Sequence, residues 1–256
     1  MQRSIKGATA LITGASSGIG KEISVQLAQL GLNLVITARR MDRLQILAQE
    51  LTAKYSIKVS PFQLDVQKNN EVEALFTKLK NEKINVDILI NNAGLALTTD
   101  KMQEATAAHW DTMIDTNVKG LLYMTRACLP AMIQRNEGHI VNIGSIAGRS
   151  CYPGGNIYCA TKHAVKALSK SLRIDLLGTA IRVSEIAPGA VETEFSIVRF
   201  QDEDRAKKLY QGFTPLSAED VADAIIYSLT RPLHVNVEEI VIYPQSQATA
   251  TDIFRN

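Results

Sequence analysis

The chain has 256 residues, 46% of them apolar and 21% charged. These are the proportions of an ordinary globular protein, not of a disordered, collagenous or disulfide-stapled one. A net charge of +2 carries no nucleic-acid footprint, and no apolar run approaches the roughly 18 residues of a membrane span. The first strand starts almost at once, with no signal segment before it. Three cysteines without framework spacing, Cys128, Cys151 and Cys159, suit reduced thiols in a cytoplasm.

Strand and helix alternate along the whole chain. The pattern predicts a strand over Ala8–Thr13, a helix over Gly18–Leu30, a strand over Leu32–Ala38 and a helix over Met41–Tyr55. It continues with a strand over Lys58–Leu64, a helix near Asn70–Lys80 and a strand over Val86–Asn91. A long helix is expected from Trp110 to Arg135, then a strand over His139–Ile143, a second long helix over Ile157–Leu177 and a strand over Ile181–Ala187. Residues 188–217 lack steady periodicity and read as a substrate loop, with a mobile lid at 195–213. Ala218–Leu229 reads as a helix and Glu239–Tyr243 as the last strand. The strands are short continuous runs of Val, Ile and Leu, as expected where helices cover both faces. The whole chain, 1–256, therefore reads as one α/β domain, a doubly wound (Rossmann) parallel sheet of seven strands with helices on both faces.

The first strand ends in Thr13-Gly14-Ala15-Ser16-Ser17-Gly18-Ile19-Gly20. Glycines between a strand and a helix let a pyrophosphate approach the backbone, where helix N–H groups and the helix dipole face it. Gly14, Ser16, Ser17, Gly18, Ile19 and Gly20 are thus candidate dinucleotide contacts. The second strand decides which dinucleotide. An acid at its end would hold a ribose 2′-hydroxyl; here the strand ends in Arg39-Arg40. Forked guanidinium donors suit a phosphate monoester, so the cofactor reads as NADP(H).

Tyr158 and Lys162 are spaced i, i+4 and share one face of the second long helix. A free tyrosine ionises near 10, and making it a base near neutrality takes about 4 kcal/mol. A cation at about 4 Å in an effective dielectric near 20 supplies about that much, so Lys162, helped by an oxidised nicotinamide, is expected to activate Tyr158. Ser145 follows the fifth strand, Asn92-Ala93-Gly94 closes the fourth, Pro188-Gly189 closes the sixth, and Asn117 sits inside the long helix. Ligands of a doubly wound sheet bind beyond the carboxyl ends of its strands, where these groups lie.

With these motifs in place the sequence resembles the short-chain dehydrogenase/reductase family over essentially its whole length. The resemblance implies that Ser145 polarises the carbonyl or holds the alcohol, that Tyr158 exchanges the proton, and that Lys162 binds the nicotinamide ribose. It implies that Asn117 holds a water leading to a proton relay, and that Asp65 and Val66 meet the adenine. It also implies that Asn92, Ala93 and Gly94 pack along the cofactor, and that Pro188, Gly189, Val191 and Thr193 line the nicotinamide. Asn91–Leu97, Met113–Asn117, Tyr123–Arg126 and Thr193–Phe200 are similar to the branch of NADP-dependent 3-hydroxy acid dehydrogenases, which act on serine, allo-threonine, 3-hydroxypropionate or the matching semialdehydes. Cys151 and Cys159 depart from that branch. A carbonyl reductase of 3-oxoacyl thioesters, sugars or cyclic ketones is the alternative enzyme, and a non-catalytic NADP-binding scaffold the alternative of another class.

The remaining residues read more plainly. The four histidines show no metal spacing. Arg199 reads either as a partner for a substrate carboxylate or as one half of a structural ion pair. Helix 110–135 is apolar on two sides, and Ala160, Ala164 and Ala167 offer a small-residue face. With the family resemblance, these point to a homotetramer.

Overall fold

The computed structural model describes residues 3–256. Seven strands form one all-parallel sheet: β1 (Thr9–Thr13), β2 (Asn33–Ala38), β3 (Val59–Gln63), β4 (Ile88–Asn91), β5 (Gly138–Ile143), β6 (Ile181–Pro188) and β7 (Glu239–Ile242). Their order is β3-β2-β1-β4-β5-β6-β7. The order reverses between β1 and β4, which opens a crevice at the carboxyl ends of those two strands.

The inner strands are rich in apolar residues because successive side chains enter opposite cores. In β1, Ala10 and Ile12 face one core while Leu11 faces the other, and all three are fully buried. The first core also takes Leu27 of helix α1 (Gly18–Gln29), Leu44 of α2 (Met41–Tyr55) and Ile225 of α9 (Ala218–Leu229). The second takes Val72 of α3 (Asn69–Asn81) and Met124 and Cys128 of α5 (Leu121–Arg135), with Leu172 of α6 (Asn156–Asp175) packed against it. Pro61 is accommodated in β3 because that strand pairs only with β2 and lies at the sheet edge.

Two segments differ from the sequence pattern. The long helix expected from Trp110 starts at Ala107, capped by the Thr106 hydroxyl, and is not continuous. α4 (Ala107–Ile114) passes through a π-helical turn (Asp115–Gly120) into α5. A π turn inside a helix often marks a site where a side chain is held by tertiary bonds, and Asn117 is such a residue, as described below. Residues 188–217 are not irregular: they carry α7 (Glu194–Phe200) and α8 (Glu203–Leu209), and a Val191–Leu216 bridge closes their base. Each seven-residue helix has its own cap, from the Thr193 and Asp202 side chains. Two helices this short show no periodicity, but their cap residues are readable.

Candidate active site

The glycine turn is built by crowding. Gly14 and Gly18 have φ of +69° and +52°, and a Cβ on Gly14 would stand 2.9 Å from Asn92 Nδ2. A Cβ on Gly20 would collide with the Gly14 carbonyl and the Asn92 amide. Asn92 locks the turn in place: its Nδ2 donates to the Thr13 carbonyl at 2.8 Å. The backbone N–H groups of Asn92 and Ala93 donate to Thr13 Oγ1 at 3.0 and 2.9 Å. These bonds tie the end of β1 to the end of β4. No side chain caps α1, and no acid stands in its first turn. Its first N–H groups are therefore left for an anion.

At the end of β2, the Arg40 guanidinium donates to Ser16 Oγ at 3.0 and 3.2 Å and to Ser17 Oγ at 2.8 Å. Arg39 lines the same space. Glu194 and Arg43 also belong to this end and were not expected there. The Glu194 carboxylate pairs with Arg40 at 3.1 Å and with Arg43 at 2.8 Å. Asp65 accepts from the Gln67 N–H at 3.1 Å and, with Val66, forms the adjoining wall.

The other end gathers the chemistry-bearing groups. Ser145 is buried; its Oγ accepts from the Ala147 N–H at 3.1 Å, which leaves its own O–H to donate. Behind it, Arg149 donates to the Ser145 carbonyl at 3.0 Å and to buried Glu185 at 2.7 Å, and pairs with Glu239 at 2.8 Å. These contacts fix the backbone that carries Ser145. Tyr158, in the first turn of α6, packs its ring 5.7 Å from that of Phe195. Lys162 is buried one turn on, and its Nζ donates to the Ile143 carbonyl at 2.8 Å.

In this geometry burial acts against a drop in the Tyr158 pKa. Burial pushes the phenol above its ordinary range, while the Ser145 hydroxyl and the Arg199 charge pull only partly against it. Burial likewise pushes Lys162 down to about 8. Both groups are held toward their neutral forms, because desolvation outweighs the attraction that i, i+4 spacing suggests. Lys162 Nζ sits 5.9 Å from the Tyr158 ring centre, bonded to a carbonyl.

One cavity of about 610 Å³ runs between the two ends. It is lined by Gly14, Ser16, Ser17, Gly18, Ile19, Arg39, Arg40, Asp65, Val66, Asn92, Ala93, Gly94, Ser145, Tyr158, Lys162, Pro188, Gly189, Val191 and Thr193. Gly20 and Asn117 stand behind its wall. Asn117 clamps the loop after β4: its Oδ1 accepts from the Leu95 N–H and its Nδ2 donates to the Leu95 carbonyl, both at 2.8 Å. The same Nδ2 reaches Thr161 Oγ1 at 3.1 Å. α7 and α8 close the cavity with Phe195, Val198, Arg199, Phe200, Leu209 and Tyr210.

The sequence model of the short chain dehydrogenase family matches residues 8–204. An NADP-dependent 3-hydroxy acid dehydrogenase of Escherichia coli K12 is 48% identical over 94% of this chain and 96% of its own length. One of Schizosaccharomyces pombe is 43% identical over 98% of both chains. The solved closed form of a serine dehydrogenase complexed with NADP+ superposes with a TM-score of 0.90 at 45% identity, covering 97% of this chain and all of that one. The chain belongs to the short-chain dehydrogenase family and is an oxidoreductase acting on CH–OH groups.

Proposed function

We propose that this oxidoreductase is a 3-hydroxy acid dehydrogenase, which oxidises the β-hydroxyl of serine, allo-threonine or 3-hydroxypropionate, or reduces the matching semialdehyde. Its cofactor is NADP(H), as in the relatives and the solved neighbour. The residues present fit that cofactor. Gly14 and Gly18 line the cavity at the uncapped start of α1, where a pyrophosphate would lie, and Arg40 with Ser16 and Ser17 forms a polar cluster where a 2′-phosphate would lie. When bound, the nicotinamide accepts or returns the hydride. Ser145 donates its O–H to the substrate oxygen. Tyr158 takes the hydroxyl proton during oxidation and returns it during reduction. Lys162 would hold the nicotinamide ribose. Asn117 fixes the loop on which Gly94 and Leu95 sit and would hold a water that connects Lys162 to a proton relay.

The observation that carries the substrate class is Arg199. Its guanidinium lies in the cavity wall, 5.5 Å from the Tyr152 ring centre and 5.8 Å from that of Tyr158. Its Nε is buried without a hydrogen-bond partner, and it takes part in none of the ion pairs among the described residues. A cation beside the Tyr158 ring, with donors to spare, calls for an anionic substrate. The test compares 3-hydroxypropionate with 1,3-propanediol, its neutral analogue, by initial rates of NADP+ reduction. The acid is expected to win by about thirtyfold or more in kcat/KM, the low end for a desolvated charge contact. Equal rates on the two would remove the acid from the reading.

We further propose that α7 and α8 form a lid that closes over substrate and excludes water. The three cysteines are unpaired, and Cys128 and Cys159 are buried; these thiols support a cytoplasmic location. No helix among the described residues is long and apolar enough to cross a membrane. The homotetramer is supported by apolar side chains left on the outer face of α4–α5, namely Ile114, Leu122 and Ile133, and by Ile174 and Leu177 at the end of α6. Light scattering at micromolar concentration is expected to give four times the 28.1 kDa chain mass; a monomeric mass would refute the assembly.

A further inference from the structure

The arginine end of the cavity contains a carboxylate that the cofactor reading leaves without a role. Glu194 is the first residue of α7. Its Oε2 accepts from Arg40 Nη1 at 3.1 Å, and its two oxygens accept from Arg43 Nη1 at 2.8 and 3.1 Å. Arg40 gives its other donors to the Ser16 and Ser17 hydroxyls. Burial works to raise the Glu194 pKa, but the hydrogen bonds from Arg43 and Arg40 outweigh it and hold the carboxyl below its ordinary range. The group is a carboxylate at neutral pH, and it lines the same cavity as Arg39, Arg40 and Ser16.

We propose that the Glu194 carboxylate is a built-in rival of the cofactor's 2′-phosphate for Arg40, and that this rivalry links the phosphate to the position of α7. The sign follows from charge alone. A phosphate arriving at Arg40 meets Glu194 in one of two ways. If the carboxylate stays, two negative groups crowd one cation. If it leaves, its ion pairs to Arg40 and Arg43 break. Either way the phosphate binds less tightly than it would beside a neutral side chain, and a ribose bearing only a hydroxyl is spared that cost. The link to α7 is covalent. The helix that begins at Glu194 also sets Phe195 against the Tyr158 ring and places Arg199 in the cavity wall. A phosphate that displaces Glu194 releases the start of this helix, and the ion pairs re-form as the phosphate departs. A carboxylate on the lid thus favours release of the phosphorylated nucleotide.

The proposal rests on Arg40 as a ligand of the 2′-phosphate, and the experiment keeps the two ideas separable. Calorimetric titration of the full chain uses 2′,5′-ADP, which carries the phosphate, and 5′-ADP, which does not; neither has a nicotinamide. Glu194→Gln is expected to tighten 2′,5′-ADP about fivefold, the scale of partly exposed charge contacts, and to leave 5′-ADP unchanged. Stopped-flow release of NADP+ should slow in the same variant. Unchanged or weaker binding of 2′,5′-ADP would overturn the rivalry, and so would equal tightening of both nucleotides. Arg40→Ala is the second arm. If it leaves 2′,5′-ADP binding intact, the assignment of Arg40 itself falls. If it weakens 2′,5′-ADP while Glu194→Gln fails to tighten it, only the rivalry falls.

Discussion

Replacing Tyr158 with phenylalanine is expected to cut turnover at least a hundredfold, the usual minimum for loss of a general acid–base, while folding and NADP(H) affinity persist. The substitution removes one oxygen and keeps the ring that packs against Phe195. The wild-type pH profile supplies a second readout. Oxidation needs the phenolate, and burial holds the phenol above its ordinary pKa. Below that pKa the phenolate fraction, and with it the oxidation rate at the chemical step, rises as pH rises. Reduction needs the phenol, which is the dominant form over the same range. Tyr158→Phe should flatten the rise in oxidation as well as lower the rate. Near-normal turnover in the variant, or a rise with pH that survives the substitution, would reject Tyr158 as the proton-exchanging group.

The features legible in the sequence are those written in local spacing. The Gly14–Gly20 turn announces itself because a strand, glycines and a helix follow one another within a few residues. Tyr158 and Lys162 lie one helical turn apart. Ser145, Asn92 and Pro188 could be placed because each closes a strand, and the carboxyl ends of the strands gather at one edge of the sheet. What the sequence hid depends on contacts between distant parts of the chain. Glu194 meets Arg43 across 151 positions, and no composition or periodicity links them. Arg149 and Glu185 are joined behind Ser145 across 36 positions. The π turn at Asn117 depends on bonds to Leu95 and Thr161, which helical periodicity cannot register. α7 and α8 were hidden for another reason: seven residues make too few turns to show an apolar stripe.

The Tyr158–Lys162 pair shows what local spacing leaves out. A spacing of four residues suggests a cation beside a phenol, and Coulomb's law then predicts a lowered tyrosine. The three-dimensional site adds the removal of water from both groups, and that cost falls on whichever form is charged. The lysine moves down to about 8 and the tyrosine moves up. The positive charge of an oxidised nicotinamide would favour the phenolate, the form that the proposed oxidation calls for.

Arg199 is the residue whose replacement should separate acids from alcohols. Truncating one partner of a buried charge pair costs about 2–5 kcal/mol, or about thirtyfold to several thousandfold. Arg199 is only half-buried, which places the expectation at the lower end. Arg199→Met should reduce kcat/KM for 3-hydroxypropionate by about thirtyfold to a hundredfold, chiefly through KM. For 1,3-propanediol the change should be slight. The comparison matters because the side chain also has structural contacts: the guanidinium lies over Tyr152 and Phe200, and the Arg199 carbonyl accepts from the Thr98 N–H at 3.0 Å. A purely structural arginine would be missed equally by both substrates, since a disordered α7 closes over neither. Arg199→Lys keeps the charge but loses the fork, so it should recover part of the activity on the acid. Equal losses on acid and diol, with no recovery by lysine, would make Arg199 a packing residue of the lid and leave the anionic substrate without its partner.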